Sequence, residues 1–563
     1  MSQLPSPSGL RWVLDLLPWQ QLFLVLAVVG SVAVARRLSP RESRWGDRLR
    51  ARFVLGVPWG TLLTVFGVLL VYWVIQGGWE HPNNPLVVPF RSWSYFYPLG
   101  VFVAGFAHNG VGHITGNLLG TVVFAPVVEY YVGHYPTERG SESFSSALTN
   151  PFVRILLVPA GSFVVGLFTG VFSMGPVIGF SGVVYAYVGF AMVTRPLLAV
   201  FALVGERVVD LVYKGLRNPY IVREPGPGFF SPWWANIAIQ GHAIGILFGI
   251  LLGVAVLARR EEYPDPLYLW VVAVVFGIRQ SLWAIYAPQG ASEFVLFRAI
   301  GVGVVFVFAA VVATGISAPD RDLLPSFDWS GGTLTRGTAV RVLVVSLVLL
   351  SAVAVPFGLT TISGDLPPDA ATVEVRDYTV TYVEGVPNQY VSLVNEYLYG
   401  ESRQIRSSGV VVIDEDREIW IEAVPKSRLK FQGGATVWVG GLGWREAVFA
   451  DREGWSLVGN GSAYTVSLRQ RGEPAVRAFT SDPVRADPTI AGRNVSIEPV
   501  DGRFDLVVTH DRTVVGRAPI PARSNETAVG GLTIRRTGKE LYAVRNRTRV
   551  HVASKEIPGA RRD

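Results

Sequence analysis

The chain has 563 residues, half of them hydrophobic, and its mean hydropathy of +0.36 with only 17% charged residues is too apolar for a soluble globular protein. It contains no cysteine, which removes disulfides, thiolate zinc sites and cysteine catalysis together. The net charge of +7 is mostly arginine and accompanies no nucleic-acid motif, so its placement along a multi-span membrane protein matters more than its sum.

Residues 1–20 carry neither a basic n-region nor a small-residue cleavage site, so no cleaved signal peptide is expected. The first apolar run, 20–35, is expected to remain as an anchor. Seven arginines follow between Arg36 and Arg52, the densest basic cluster near any span, and they assign this loop to the cytoplasm. The first span then runs inward and the second, 54–76, outward. Residues 77–112 are rich in Trp, Pro and Tyr, with Arg91 as their one arginine and no lysine, which suits an external loop lying at the interface.

Further spans are predicted at 111–132, 152–172, 177–194, 196–213 and 237–257, each near the length a bilayer requires. Towards the end of the 196–213 run, Glu206, Arg207, Asp210 and Lys214 are spaced for Arg207–Asp210 and Asp210–Lys214 pairs, which predicts a helix end at the interface rather than an ion path. Arg259 and Arg260 mark a cytoplasmic turn, and three more spans follow at 267–286, 294–315 and 339–359. The isolated Arg279 and Arg298 are expected to snorkel or pair near helix ends. An odd number of spans after the basic loop leaves the remaining chain outside.

From about Ser363, short alternating runs such as VVVIDEDREIWIEAV, separated by Gly, Asn, Asp and Pro, predict an all-β domain. Asn-x-Ser/Thr triplets at Asn460, Asn494, Asn525 and Asn546 agree with external placement. Residues 560–563 are expected to be unstructured. The chain thus divides into an anchor with its basic loop (1–53), a helical core (54–258), three additional transmembrane helices (259–362) and an extracytoplasmic β-rich domain (363–563).

Three spans carry polar groups suited to acyl transfer. GFSGVVYAY, Gly179 to Tyr187, places Ser181 between glycines at the mouth of an apolar helix; HNGVGHITGN begins a second span and QGHAIGILFG crosses a third. A lone hydroxyl in a span is often silent, bonding a carbonyl one turn back, but histidine within spans is rare and usually functional. His113, Gly116, Asn117 and Gly120 share one helix face, as do His242, Gly245, Gly249 and Gly253, and as do Ser181, Tyr185 and Gly189. Packing the last two helices through their small residues brings Ser181 toward His242, a nucleophile beside a base. His113 and Asn117, with backbone N–H groups around Ser181, are the candidate donors to an oxyanion. A zinc site of His108, His113 and His242 competes on residue types, but no carboxylate or thiolate is expected to join them in the same helices.

The pattern resembles the rhomboid family of intramembrane serine proteases. The match rests on His108, His113 and Asn117, on the Gly-x-Ser-Gly motif from Gly179 to Gly182, and on His242 followed by Gly245 and Gly249. The resemblance implies a rhomboid-like six-helix core from about Val54 to Leu257 and covers well under half of the chain. The additional spans and the C-terminal all-β extracytoplasmic domain lie outside it, and the whole is expected to be an α-helical polytopic membrane protein with that domain attached. The resemblance also implies a Ser181–His242 dyad without an aspartate, an oxyanion hole of His113, Asn117 and the Ser181 amide, and Tyr185 packed on the His242 ring. His108 would steady the external loop, and Gly179 and Gly182 would serve backbone geometry. Arg91 and Trp93 stand where the family has a loop motif, but in a different order. The implied activity is cleavage of transmembrane protein substrates near the outer face of a plasma membrane, within the lipid bilayer, with no cofactor and no nucleic acid. A rhomboid-like binding protein that does not cut would be favoured by loss of Ser181 or His242, and both are present. A transporter would need ionisable residues along a continuous path, whereas these cluster toward one face.

Overall fold

Backbone polar groups inside a bilayer must be satisfied within the protein, so apolar runs of this length have little choice but helix. The computed structural model describes residues 18–38, 49–132, 146, 150–219, 238–288, 294–317, 336–368, 370–390, 406–459 and 461–556. The expectations for the first 17 residues, most of the basic loop, Asn460 and the extreme C-terminus fall outside the described residues. The chain separates into two compact units, a helical one up to Gly358 and a β one from Leu359 onward.

The helical unit contains α1 (Trp19–Leu38), α2 (Trp59–Leu70, continued by a π turn Val71–Ile75), the short α3 (Pro98–Ala104), α4 (Val111–Val132), and α5 and α6 (Pro151–Ile155 and Leu157–Val171). It continues with α7 (Ser181–Thr194), α8 (Pro196–Arg217), α9 (Ile239–Arg260), α10 (Pro266–Arg279), α11 (Arg298–Ser317), α12 (Arg336–Ala352) and α13 (Val355–Gly358). Among the described residues, five stretches are long and apolar enough to cross a membrane, at 111–132, 151–171, 239–260, 298–316 and 336–358, and four shorter apolar helices join them. This is a multi-pass membrane protein. Its outward faces agree: Phe23, Leu26, Val74 and Phe201 are each about 70% exposed, as residues bathed in lipid would be.

The predicted spans correspond to helices, but several ends move. The helix expected from residue 177 begins only at Ser181, because Pro176 and Gly179, whose φ of +131° belongs to glycine, keep the preceding loop out of helical geometry. The run predicted over 267–286 stops at Arg279, followed by Ser281 in the left-handed region at φ +61°. The run predicted from 294 starts its helix at Arg298. Helix α8 carries both expected ion pairs, Arg207–Asp210 at 3.3 Å and Lys214–Asp210 at 2.8 Å. Arg279 pairs with Glu206 at 3.9 Å, and Arg298 lies 5.9 Å from the centre of the Trp283 ring.

Helix α7 is the hub. Every residue from Tyr185 to Thr194 is buried, and its all-round apolar sequence is that of a helix with no free face. It meets α9 backbone to backbone. A Cβ on Gly245 would fall 2.1 Å from the Gly182 carbonyl oxygen, one on Gly249 2.0 Å from that of Ala186, and one on Gly189 2.3 Å from that of Ile246. Glycine is required at these crossings, and the dispersion gained by such close approach is what holds helices together in lipid. Glu129, near the end of α4 and only 5% exposed, accepts from Gly60 N–H (2.9 Å), Thr61 N–H (2.8 Å) and the Thr61 hydroxyl (2.9 Å). It thereby satisfies orphan donors at the start of α2, where the helix dipole also favours a carboxylate.

The β unit begins its first strand at Thr372, somewhat after the expected Ser363. Strands β1 (Thr372–Val375), β2 (Tyr378–Pro387), β3 (Arg406–Asp414) and β4 (Ile419–Pro425) form an antiparallel sheet in chain order. Helix α14 (Lys426–Gln432) interrupts an otherwise all-β region. An eight-stranded sheet follows, built from β5 (Gly434–Gly441), β6 (Trp444–Leu457), β7 (Ser462–Gln470), β8 (Val476–Thr480), β13 (Glu526–Val529), β14 (Leu532–Thr537), β15 (Glu540–Arg545) and β16 (Thr548–Lys555). Between its halves the chain makes a four-stranded meander of β9 (Val484–Ile490), β10 (Arg493–Val500), β11 (Arg503–His510) and β12 (Thr513–Pro519). Asn525 and Asn546 are exposed in turns, and Asn494 is half-buried on β10.

Candidate active site

Ser181 is the first residue of α7, and His242 lies one turn inside α9. The backbone contact at Gly245 and Gly182 sets the two helices so close that the Ser181 hydroxyl and the His242 Nε2 meet at 2.8 Å. Both side chains are half-buried. Tyr185, one turn beyond Ser181, stacks on the imidazole with ring centres 4.1 Å apart and planes inclined by 13°. Its hydroxyl donates to the Gln280 carbonyl at 3.2 Å, so the ring is held from behind.

The expected donors sit across from this pair on α4. A Cβ on Gly179 would lie 2.5 Å from Cε1 and 2.7 Å from Nε2 of His113, and 3.7 Å from Nδ2 of Asn117. The imidazole and the amide therefore cover the backbone two residues before Ser181, and no side chain larger than hydrogen fits at position 179. Gly182 is equally confined, since a Cβ there would meet Thr169 at 2.8 Å. Gly120 faces α7 through Val184, whereas Gly116, placed on the same face by its spacing, has open space beside it.

His108 is fully buried outside the dyad. Its Nε2 meets the Asn117 amide at 3.0 Å, its ring lies edge-on to His113 with centres 5.1 Å apart, and its backbone N–H donates to Gln76 Oε1 at 2.7 Å. Gln76 returns two bonds from Nε2, to the carbonyls of Leu86 and His108, both at 2.8 Å. His108 thus ties the loop after α2 to Asn117. Contrary to the expectation that no carboxylate shares these helices, Glu129 lies on the same helix as His113, but it is committed to the start of α2. Among the described residues, no three His, Asp or Glu side chains are grouped so as to hold a metal ion.

The loop that delivers Ser181 is pinned from several sides. Arg91 donates to the Pro176 carbonyl at 3.0 Å, Ser92 N–H to that of Val177 at 3.1 Å, and Gly179 N–H to that of Ala104 at 2.8 Å. Burial pulls the Arg91 guanidinium down to about 10, which leaves it charged at neutral pH. Trp93 is buried and its indole donates to the Val88 carbonyl at 2.6 Å. Gln240, two residues before His242, bonds the carbonyls of Phe172 and Leu350 at 2.8 Å and accepts from Met174 N–H at 3.2 Å. Gln76 and Gln240 were given no role from the sequence. The available signal was a glutamine at the end of an apolar run, where an unsatisfied amide would be costly.

A hydroxyl 2.8 Å from a ring nitrogen, with donors gathered over the preceding backbone, is an arrangement able to perform acyl transfer. Comparison with known proteins bears on its origin. Residues 95–259 match the family model of the Rhomboid domain, a span that contains His108, His113, Asn117, Ser181 and His242. No curated protein and no solved structure matches the chain. The chain carries a Rhomboid domain over residues 95–259.

Proposed function

We propose that this protein is an intramembrane serine endopeptidase that cleaves transmembrane protein substrates near the outer membrane face with a Ser181–His242 dyad. The observation that carries the reading is the 2.8 Å contact between the Ser181 hydroxyl and His242 Nε2, with Tyr185 stacked on the imidazole. Neutral His242 accepts the Ser181 proton as Oγ bonds to the scissile carbonyl carbon. Its electron pair moves to oxygen, and the oxyanion is held by His113, Asn117 and the Ser181 amide. Collapse of the tetrahedral intermediate breaks the C–N bond, and His242 passes its proton to the leaving amine. Water, deprotonated by the same ring, then releases the acyl group and restores Ser181.

Within this reading Gly179 and Gly182 keep the backbone close to the donors, and His108 positions Asn117. The six-helix core lies over 54–258, the anchor and basic loop over 1–53, three additional transmembrane helices over 259–362 and the extracytoplasmic β-rich domain over 363–563. The protein resides in the plasma membrane with its C-terminal domain outside. Labelling with a fluorophosphonate tests the reading at its first chemical step. Wild type should be modified at Ser181, and Ser181→Ala and His242→Ala should not. A purified, folded wild type that neither labels nor cuts any transmembrane substrate would instead support a rhomboid-like binding factor.

A further inference from the structure

Helix α10 follows the six-helix core in sequence, outside the matched residues 95–259, yet it packs directly behind the dyad. The Phe276 ring, 1% exposed, meets the Tyr185 ring edge-on with centres 5.4 Å apart and planes at 75°. The carbonyl of Gln280, just past the helix end, accepts from the Tyr185 hydroxyl at 3.2 Å. Arg279 reaches Glu206 on α8 at 3.9 Å, and that carboxylate lies within electrostatic reach of the Tyr185 phenol. Tyr185 is therefore held on His242 by groups from the added helix on one side and by its own helix on the other.

We infer that α10 is part of the catalytic apparatus, with Phe276 and the Gln280 carbonyl acting as positioning groups that keep the Tyr185 ring stacked on His242. The inference rests on the protease reading above. Its physical basis is that, among the described residues, no carboxylate bonds the buried Nδ1 of His242. A serine protease with a full triad orients its imidazole by a hydrogen bond to an acid. Here a stacked ring stands in that place, and a ring can orient its neighbour only if its own tilt is fixed. Its own helix sets the position of the Tyr185 Cα, while the Phe276 edge and the bond at the phenol oxygen fix the far end of the ring. Edge-to-face contact and a single neutral hydrogen bond each carry energies that correspond to about twofold to tenfold in rate.

The experiment uses the full chain in proteoliposomes with a model transmembrane substrate and a fluorophosphonate probe. Phe276→Ala should lower kcat about tenfold, leave KM near the wild-type value and slow labelling of Ser181 in proportion, while Phe276→Leu recovers part of the loss. Tyr185→Phe, which keeps the stack and removes only the bond to Gln280, should lower kcat by about twofold to tenfold, and it serves if Phe276→Ala does not fold. Val271→Ala, on the partly exposed face of the same helix, should match wild type. Wild-type kcat and labelling rate in both Phe276→Ala and Tyr185→Phe would overturn the inference, as would a change confined to KM. A wild type that neither cuts nor labels would sink the protease reading instead, so the two failures are distinguishable.

Discussion

Asn117 shows how tightly the single residues of this site are committed. One N–H of its amide is occupied by His108 Nε2 at 3.0 Å, which leaves the second for the developing oxyanion. Removing one such donor typically lowers turnover by about a hundredfold to a thousandfold. Asn117→Ala should do so while Ser181 still reacts with a serine-directed probe. It should also lower stability by about 1–3 kcal/mol, because buried His108 loses a partner. Unchanged turnover would assign the oxyanion to other groups. In the β unit, Glu556 links stability to pH with a definite sign. Burial acts to raise its pKa, but hydrogen bonds from Arg452 at 2.9 and 3.0 Å outweigh it, and the carboxyl stays below its ordinary value. The unfolded chain then binds the proton first, so the stability contributed by this group is complete above about pH 5 and is lost as pH falls through about 4.3 to the folded value. Thermal unfolding from pH 6 to 3 should show a weaker acid dependence in Glu556→Gln than in wild type, and equal slopes would contradict this. Ser181, His242, His113 and Asn117 stood out in the sequence because polar groups are rare in apolar runs. Gln76, Gln240 and Glu129 did not, because their partners are mostly main-chain groups as far as 110 residues away, which no local spacing records.

At the scale of elements, the contact between α7 and α9 decides whether the dyad exists. Gly249→Ala would place a methyl group 2.0 Å from the Ala186 carbonyl oxygen, and since that atom is backbone the helices themselves must separate. Overpacking of this kind costs about 1–3 kcal/mol or more, and a separation of even 1 Å would break the 2.8 Å contact at Ser181. Cleavage and probe labelling should both fall by at least about a hundredfold in Gly249→Ala. Gly116→Ala, with open space around it, should retain both. Full labelling of Gly249→Ala would mean that the helices tolerate the methyl group without moving the dyad. Spacing alone gathered small residues on helix faces, but it treated Gly116 and Gly120 as equivalent. Only the path of α7 past α4 distinguishes them. Helix existence was legible in the apolar runs. Their ends were not, because Gly179 and Ser281 leave helical geometry for reasons of turn conformation that hydropathy does not report.

At the scale of the whole molecule, a helical unit of membrane-spanning length is joined to a β unit rich in charged strands. The arginines at 36–52 and the odd number of spans after them place the β unit outside in the proposed topology. Protease added to intact cells should then remove residues beyond about 363, whereas protection until the membrane is opened would reverse the orientation. The alternating strands and turn residues made the β character legible. Its division into three sheets was not, because the eight-stranded sheet closes by pairing β16 with β6, nearly a hundred residues earlier. The account stands or falls on the dyad, and the most direct measurement is cleavage of a transmembrane substrate in proteoliposomes by wild type, Ser181→Ala, His242→Ala and the double variant. The account predicts cleavage by wild type, none detectable in either folded single variant, and a double variant no worse than the singles, because nucleophile and base act as one unit. Wild-type turnover in either single variant would contradict it.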